Sequence, residues 1–89
     1  MPRRELELFA QYMEHKLKLN DHKGGWDDAS NEKLLELMQG EIRELQDAMQ
    51  NDPGLDIMFE AADVANYAMM IAWNVARSQV IREEKNDDV

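Results

Sequence analysis

The sequence predicts an all-α protein of three helices, and three observations carry that expectation. Apolar residues recur at helical spacing in three stretches, the pattern of amphipathic helices. No stretch alternates apolar and polar residues as a half-buried strand would. Two clusters of turn formers divide the chain: Asn20-Asp21-His22-Lys23-Gly24-Gly25-Trp26-Asp27-Asp28 and Asn51-Asp52-Pro53-Gly54. With 89 residues there is room for one domain, expected over residues 1–82, followed by a charged and frayed tail over residues 83–89.

Helix one is expected over about residues 3–19, with Leu6, Phe9, Met13 and Leu17 as its apolar stripe and Leu8 and Tyr12 beside it. Glu5, Glu7, Glu14, Lys16 and Lys18 are read as the opposite, solvated face. Helix two is expected after Ser30, a good N-cap, with Glu32 in the first turn favoured by the helix dipole, and it continues to about residue 50. Leu34, Leu37, Met38, Ile42, Leu45, Ala48 and Met49 supply its apolar stripe. Helix three takes Asp52 as candidate N-cap and Pro53 at the first helical position, where a missing N–H costs nothing, and runs to about residue 82. Its stretch AADVANYAMMIAWNVA, residues 61–76, is interrupted only by Asp63, Asn66 and Asn74. A helix apolar nearly all round is buried on every side. This one is too short and too polar to span a membrane, which takes roughly 20 apolar residues. Two partner helices of the same chain cannot wrap it fully, so a second subunit is expected on the remaining face, giving an oligomeric core like a four-helix bundle.

Composition narrows the function. Ten Lys+Arg stand against nineteen Asp+Glu, a net charge of −9, which argues against a nucleic-acid or anionic-membrane surface because both need a basic face. The absence of cysteine excludes a disulfide framework, a thiol nucleophile and a thiolate zinc site. The basic start, Met1-Pro2-Arg3-Arg4, is followed by Glu5 and Glu7 rather than by an apolar segment. No signal peptide is read there, and a cytoplasmic location is expected. Hydrophobic residues make up 44% of the chain, enough for a core. A chain this short nevertheless buries only roughly 60–65% of its unfolded surface, a second reason to expect a homo-dimer or tetramer.

Four acids stand out. Glu41 and Glu44 are spaced i,i+3 on helix two, and Glu60 and Asp63 are spaced i,i+3 on helix three, so each pair projects from one side of its helix. Glu41 and Glu44 interrupt the stripe that contains Leu34, Leu37 and Ala48. The short connection between the helices forces an antiparallel hairpin. With Asp52 as its centre, Glu44 and Glu60 each lie eight residues from the turn, and Glu41 and Asp63 each lie eleven. Each pair then sits at matching height, roughly 12 and 16 Å from the turn. Carboxylates converging in an apolar groove repel one another and lose hydration, which raises their pKa values. A divalent cation relieves both costs, and an all-oxygen donor set suits Mg²⁺, Mn²⁺ or Ca²⁺ rather than zinc or copper. Mg²⁺ keeps waters and completes its shell with substrate phosphates. Metal bridging is also how an acidic protein can accept a polyphosphate.

The pair of motifs, E-x-x-E (Glu41, Glu44) and, after residues 45–59, E-x-x-D (Glu60, Asp63) within EAADVANYAMMIA, resembles the MazG-type all-α nucleoside triphosphate pyrophosphohydrolases. The upstream Lys23-Gly24-Gly25-Trp26 is similar to the loop that precedes the first motif helix in that family, and the resemblance covers about residues 23–73. It implies a metal-dependent enzyme, a dimer or dimer of dimers, that splits a nucleoside triphosphate into a monophosphate and pyrophosphate. It further implies Glu41, Glu44, Glu60 and Asp63 as ligands of Mg²⁺ or Mn²⁺, and a house-cleaning role in the nucleotide pool. Glu41 or Glu44, if not saturated by metal, is the candidate to take a proton from the attacking water. Many members carry another Glu immediately before the first motif Glu. Here that position is Gly40, which points to reduced activity or a specialised substrate.

The remaining candidates each have a plainer reading. Asn66 and Tyr67 read equally as nucleotide contacts and as a buried amide and a core aromatic. Trp26 is a base-stacking candidate or an apolar lid on the bundle end. Lys23 is a phosphate contact or a solvated loop lysine. His15 reads as a surface or partly buried histidine, and Trp73 and the seven methionines as core filler. Arg77 and Arg82 read as contacts to a partner subunit's substrate phosphates or, more plainly, as partners of a helix C-terminus. Two alternatives to an enzyme remain open: a non-catalytic module that binds metal and nucleotide, and an acidic helical protein that binds a basic partner.

Overall fold

A computed structural model of the protein describes residues 2–21, 25–26, 28–51 and 54–87, with side chains placed as far as residue 79. It holds three helices: α1 (Arg4–Leu19), α2 (Asn31–Asn51) and α3 (Gly54–Asp87). Among the described residues there is no strand, and no helix is long and apolar enough to cross a membrane. The expected N-cap Asp52 and first-turn Pro53 lie outside the described residues.

The helix ends follow local chemistry. Ser30 caps α2, its Oγ accepting from the Lys33 N–H at 3.0 Å, with Glu32 in the first turn. Lys16 and Lys18 lie in the last turn of α1, where the dipole favours cations. Asn20 closes that helix twice: its backbone N–H donates to the Leu17 carbonyl at 3.1 Å, and its Nδ2 donates to the Lys16 carbonyl at 3.0 Å. Helix α3 runs to Asp87, past the expected stop near residue 82. Glu83-Glu84-Lys85 are good helix formers, and no Gly or Pro follows to break the helix.

Both α1 and α2 pack against α3, and their backbones do not approach each other. The α2 side of this arrangement is a narrow seam. Leu34 and Ala48 are buried and Met38, Glu41 and Leu45 half-buried, so inward positions alternate in steps of four and three along the helix. That spacing belongs to a helix pair in near-parallel or antiparallel contact. Leu37, Ile42, Met49 and Glu44, expected on the same stripe, are exposed. They sit one helical step off the seam. On α1 the inward residues are Phe9, Tyr12, Met13, Lys16 and Leu17, while Leu6 and Leu8 face out. The α1–α3 junction centres on Phe59. Tyr12 meets its ring edge-on, with centroids 5.7 Å apart, and His15 stacks on it at 5.3 Å.

Helix α3 is the spine, and it is less enclosed than its sequence predicts. Ala62 and Asn66 are buried, but Trp73 is 50% exposed and Val75 49%. The reason is geometric: α1 and α2 cover only part of the circumference of a 34-residue helix that is about 51 Å long. The extents are 57 × 33 × 22 Å and the radius of gyration is 15.7 Å, against about 12 Å for a compact chain of this length.

Candidate metal and ligand site

The antiparallel α2–α3 hairpin brings three of the four acids together. Glu41, Glu60 and Asp63 each offer a carboxylate oxygen, all within 4.8 Å of one another. Glu41 occupies the middle of the α2 seam, seven residues from Leu34 and seven from Ala48, so the apolar contacts on either side fix its direction. Glu44 is exposed and stands outside this triad, yet near enough to act on it. Two of the triad's oxygens, Glu41 Oε2 and Glu60 Oε2, are buried and have no hydrogen-bond partner. Buried carboxylate oxygens lacking a donor are costly.

The titration behaviour reflects this crowding. The Glu41 carboxyl is pushed up to about 7, first by burial, then by its hydrogen bond with Glu44 and by the charges of Glu44, Asp63 and Glu60. Glu60 is raised by burial and by the charges of Glu44 and Asp63, partly offset by a hydrogen bond with Glu41 and by Lys16. The Tyr67 phenol is raised by burial and by the charges of Glu41, Asp63 and Glu44, so it keeps its proton and remains a donor at neutral pH. Glu41 and Glu60 therefore hold their protons more tightly than isolated carboxylates would, as expected for crowded, partly desolvated acids whose charge one lysine offsets only in part.

A cavity of about 570 Å³ opens beside the triad, between α1 and α2 and floored by α3. Glu41 and Asp63 form one part of its wall, Leu34 and Met70 an apolar part, and Trp26, Asn66 and Tyr67 a polar and aromatic part, with Lys16 of α1 also among its lining. Trp26 is set by a turn in which the Ala29 N–H donates to the Trp26 carbonyl at 3.1 Å, immediately before the Ser30 cap. The Trp26 Nε1 is buried without a partner. Asn66, only 4% exposed, donates through Nδ2 to the Met13 carbonyl at 3.0 Å, which anchors α1 to α3. Its Oδ1 is left unpartnered. The amide thus has a structural role, and its other end is a spare acceptor. The cavity is lined by two aromatic residues and an amide beside the carboxylates of Glu41 and Asp63, while the unpaired Trp26 Nε1 and Asn66 Oδ1 are themselves shut off from solvent. Ligand pockets have this make-up: mostly apolar walls with a few placed polar groups.

The other candidates fall elsewhere. Lys23 lies outside the described residues, as does the side chain of Arg82. Arg77 lines a shallower depression with Asn31, Asn74 and Ser78. It is also ten residues from the end of α3, so the helix terminus does not account for it. His15 is an exposed ring stacked on Phe59.

One residue of the site was misread in the sequence. Lys16, placed on the solvated face of helix one, points inward: its Nζ lies 3.4 Å from Asp63 Oδ2 and 5.8 Å from the centre of the Phe59 ring. The signal was its spacing from Phe9 and Tyr12, seven and four residues earlier, which puts it on their stripe. A long aliphatic stem lets a lysine lie along apolar surface while its ammonium reaches a carboxylate.

Compared with protein-family models, with curated proteins and with solved structures, the chain gives no match in any of the three.

Proposed function

We propose that this protein is a Mg²⁺-dependent nucleoside triphosphate pyrophosphohydrolase of the MazG type, releasing a nucleoside monophosphate and pyrophosphate. The observation that carries the reading is the convergence of Glu41, Glu60 and Asp63 beside a cavity whose wall includes Glu41 and Asp63 together with Trp26, Asn66 and Tyr67. The donor set fits a hard cation: three carboxylates, no nitrogen or sulfur, and two buried oxygens in want of a positive partner. A bound Mg²⁺ or Mn²⁺ supplies charge neutralisation on phosphate oxygens and a more acidic water.

The chain's own residues divide the remaining work. Glu41, Glu60 and Asp63 hold the cation. Glu44, exposed at the rim and within electrostatic reach of Glu41, completes the set, as a further ligand or as the base that receives the proton of the attacking water. Trp26 and Tyr67 offer faces to a base, and Asn66 offers an amide. The exposed Trp73 and Val75 on the α3 spine, together with the elongated shape, support a homo-oligomer in which a second copy covers that face.

The test is a panel of nucleoside triphosphates incubated with pure protein, with and without Mg²⁺, scored for pyrophosphate and monophosphate. Turnover that is abolished by EDTA and by E44Q combined with D63N supports the proposal. Product that persists under both treatments refutes the metal mechanism.

A second reading is a metal- and nucleotide-binding module with little turnover, and Gly40 favours it. A Cβ at Gly40 would meet only the Arg43 guanidinium, at 3.8 Å, an ordinary contact, so packing does not require glycine there. The position lacks the carboxylate common in the family for some reason other than space. Thermal stabilisation by nucleotide with Mg²⁺, without product, distinguishes this reading.

A further inference from the structure

The cavity already contains a cation of its own. Lys16 is the only basic side chain lining it among the described residues. Its ammonium sits 3.4 Å from Asp63 Oδ2, with the Lys16 and Asp63 side chains 21% and 17% exposed. A divalent ion held by Glu41, Glu60 and Asp63 needs an oxygen from the carboxylate that Lys16 now pairs with. Two cations at one carboxylate repel, and the divalent one has the stronger field. Lysine is a compact charge on a flexible four-carbon stem, so it can leave Asp63 without moving its helix. The backbone of α1 has independent anchors: Tyr12 and His15 on Phe59, and Asn66 Nδ2 on the Met13 carbonyl. A displaced ammonium therefore stays tethered at the wall of a cavity about 570 Å³ in volume. An anion bound there through the metal would present it with phosphate oxygens.

We infer that Lys16 is a tethered counter-ion: it neutralises Asp63 in the metal-free protein, yields to a divalent cation, and re-pairs with the phosphate chain of a polyphosphate in the same cavity. The inference rests on the metal site proposed above and adds to it a coupling. Metal alone must compete with Lys16 and leaves its ammonium without a carboxylate, whereas a polyphosphate bound with the metal gives that ammonium a new anionic partner. Free cation should bind weakly, and the cation–polyphosphate complex should bind much better than its parts.

The experiment titrates Mn²⁺ alone, and then inorganic triphosphate at saturating Mn²⁺, into the wild type, K16M, K16Q and E41Q, with circular dichroism to verify folding. Removing the lysine is expected to change the two affinities in opposite directions. Mn²⁺ alone should bind about fivefold tighter, which converts to about 1 kcal/mol, the scale of one partly exposed ion pair. Triphosphate should bind at least about tenfold more weakly, the loss of one charge-assisted contact. K16Q keeps polarity without charge, on a side chain one bond shorter, and should repeat both signs. Unchanged affinities in K16M and K16Q, or weaker Mn²⁺ binding in both, overturn the role of Lys16 while a wild type that binds Mn²⁺ through Glu41 keeps the metal site. A wild type that binds no Mn²⁺, or that binds it no better than E41Q, overturns both.

Discussion

Replacing Glu41 by Gln should make the metal-free protein more stable and the metal-loaded protein less responsive. Glu41 sits in the α2 seam with carboxylate oxygens of Glu60 and Asp63 within 4.8 Å. At that separation two unit charges repel by about 1 kcal/mol in water and about 3.5 kcal/mol at an effective dielectric of 20. The triad is only half-buried, so the lower part of that range applies, and a net gain of about 1–2 kcal/mol is expected from E41Q at about pH 8. For a domain this small each kcal/mol moves the melting temperature by about 4–8 °C. Gln keeps the volume of Glu and can donate an N–H to a neighbouring carboxylate, so the seam stays filled. The assay is thermal unfolding of wild type and E41Q at about pH 8 and about pH 5, each with and without Mn²⁺. At the lower pH wild-type Glu41 already carries its proton, and the gain should vanish. Mn²⁺ should raise the melting temperature of the wild type at about pH 8 and leave E41Q nearly unmoved. A folded E41Q that melts at or below the wild type at about pH 8 would refute the argument from carboxylate repulsion, whatever the metal does.

The stability of the metal-free wild type should depend on pH in the sense opposite to a salt-bridged acid. Raising the Glu41 pKa from 4.5 to about 7 means that the folded state holds the proton more tightly than the unfolded state. The contribution is complete below about 4.5 and is lost as pH rises through about 7, so melting temperature should fall across that window; a flat or rising profile there contradicts the shift. Divalent affinity should strengthen over the same window, because the ligands must lose their protons, and calorimetric titration at several pH values measures it. Leu34, 2% exposed, is the largest fully buried side chain among those described, and L34A should cost roughly 2–5 kcal/mol by denaturant unfolding. That is a large share of the roughly 4–13 kcal/mol available to a chain of this length, so a loss under 1 kcal/mol would show that the α2–α3 seam is not packed as described. S30A removes the α2 cap, in which Ser30 Oγ receives the Lys33 N–H, and should cost about 1 kcal/mol in the same assay.

Much of this was legible in the residues, for physical reasons that also mark where legibility ended. Helix boundaries were readable where a side chain supplies the cap, as at Ser30, and unreadable near residue 82, where neither Gly nor Pro ends the helix. Register arithmetic across the hairpin set Glu41 level with Asp63 and Glu44 level with Glu60, one turn nearer the loop, because rise per residue is fixed. It could not set Glu44 apart from Glu41, since height says nothing of rotation about the helix axis. The seam through Leu34, Met38, Leu45 and Ala48 selects Glu41 and turns Glu44 outward. Lys16 was assigned to the solvated side because lysine is usually there, although its spacing from Phe9 and Tyr12 already said otherwise. Enclosure of α3 was over-read, because one chain supplies only two helices to cover it.

Helices α1 and α2 share no backbone contact and meet only through the spine between them. A molecule in the cleft therefore sits between two walls that are each packed on α3, and on the α1 side that packing consists of the Phe59 cluster, the Lys16–Asp63 ion pair and the amide tie from Asn66. Substitutions at Tyr12, or at Phe59 directly before Glu60, would alter how α1 seats on α3 and so which sizes of guest the cleft admits.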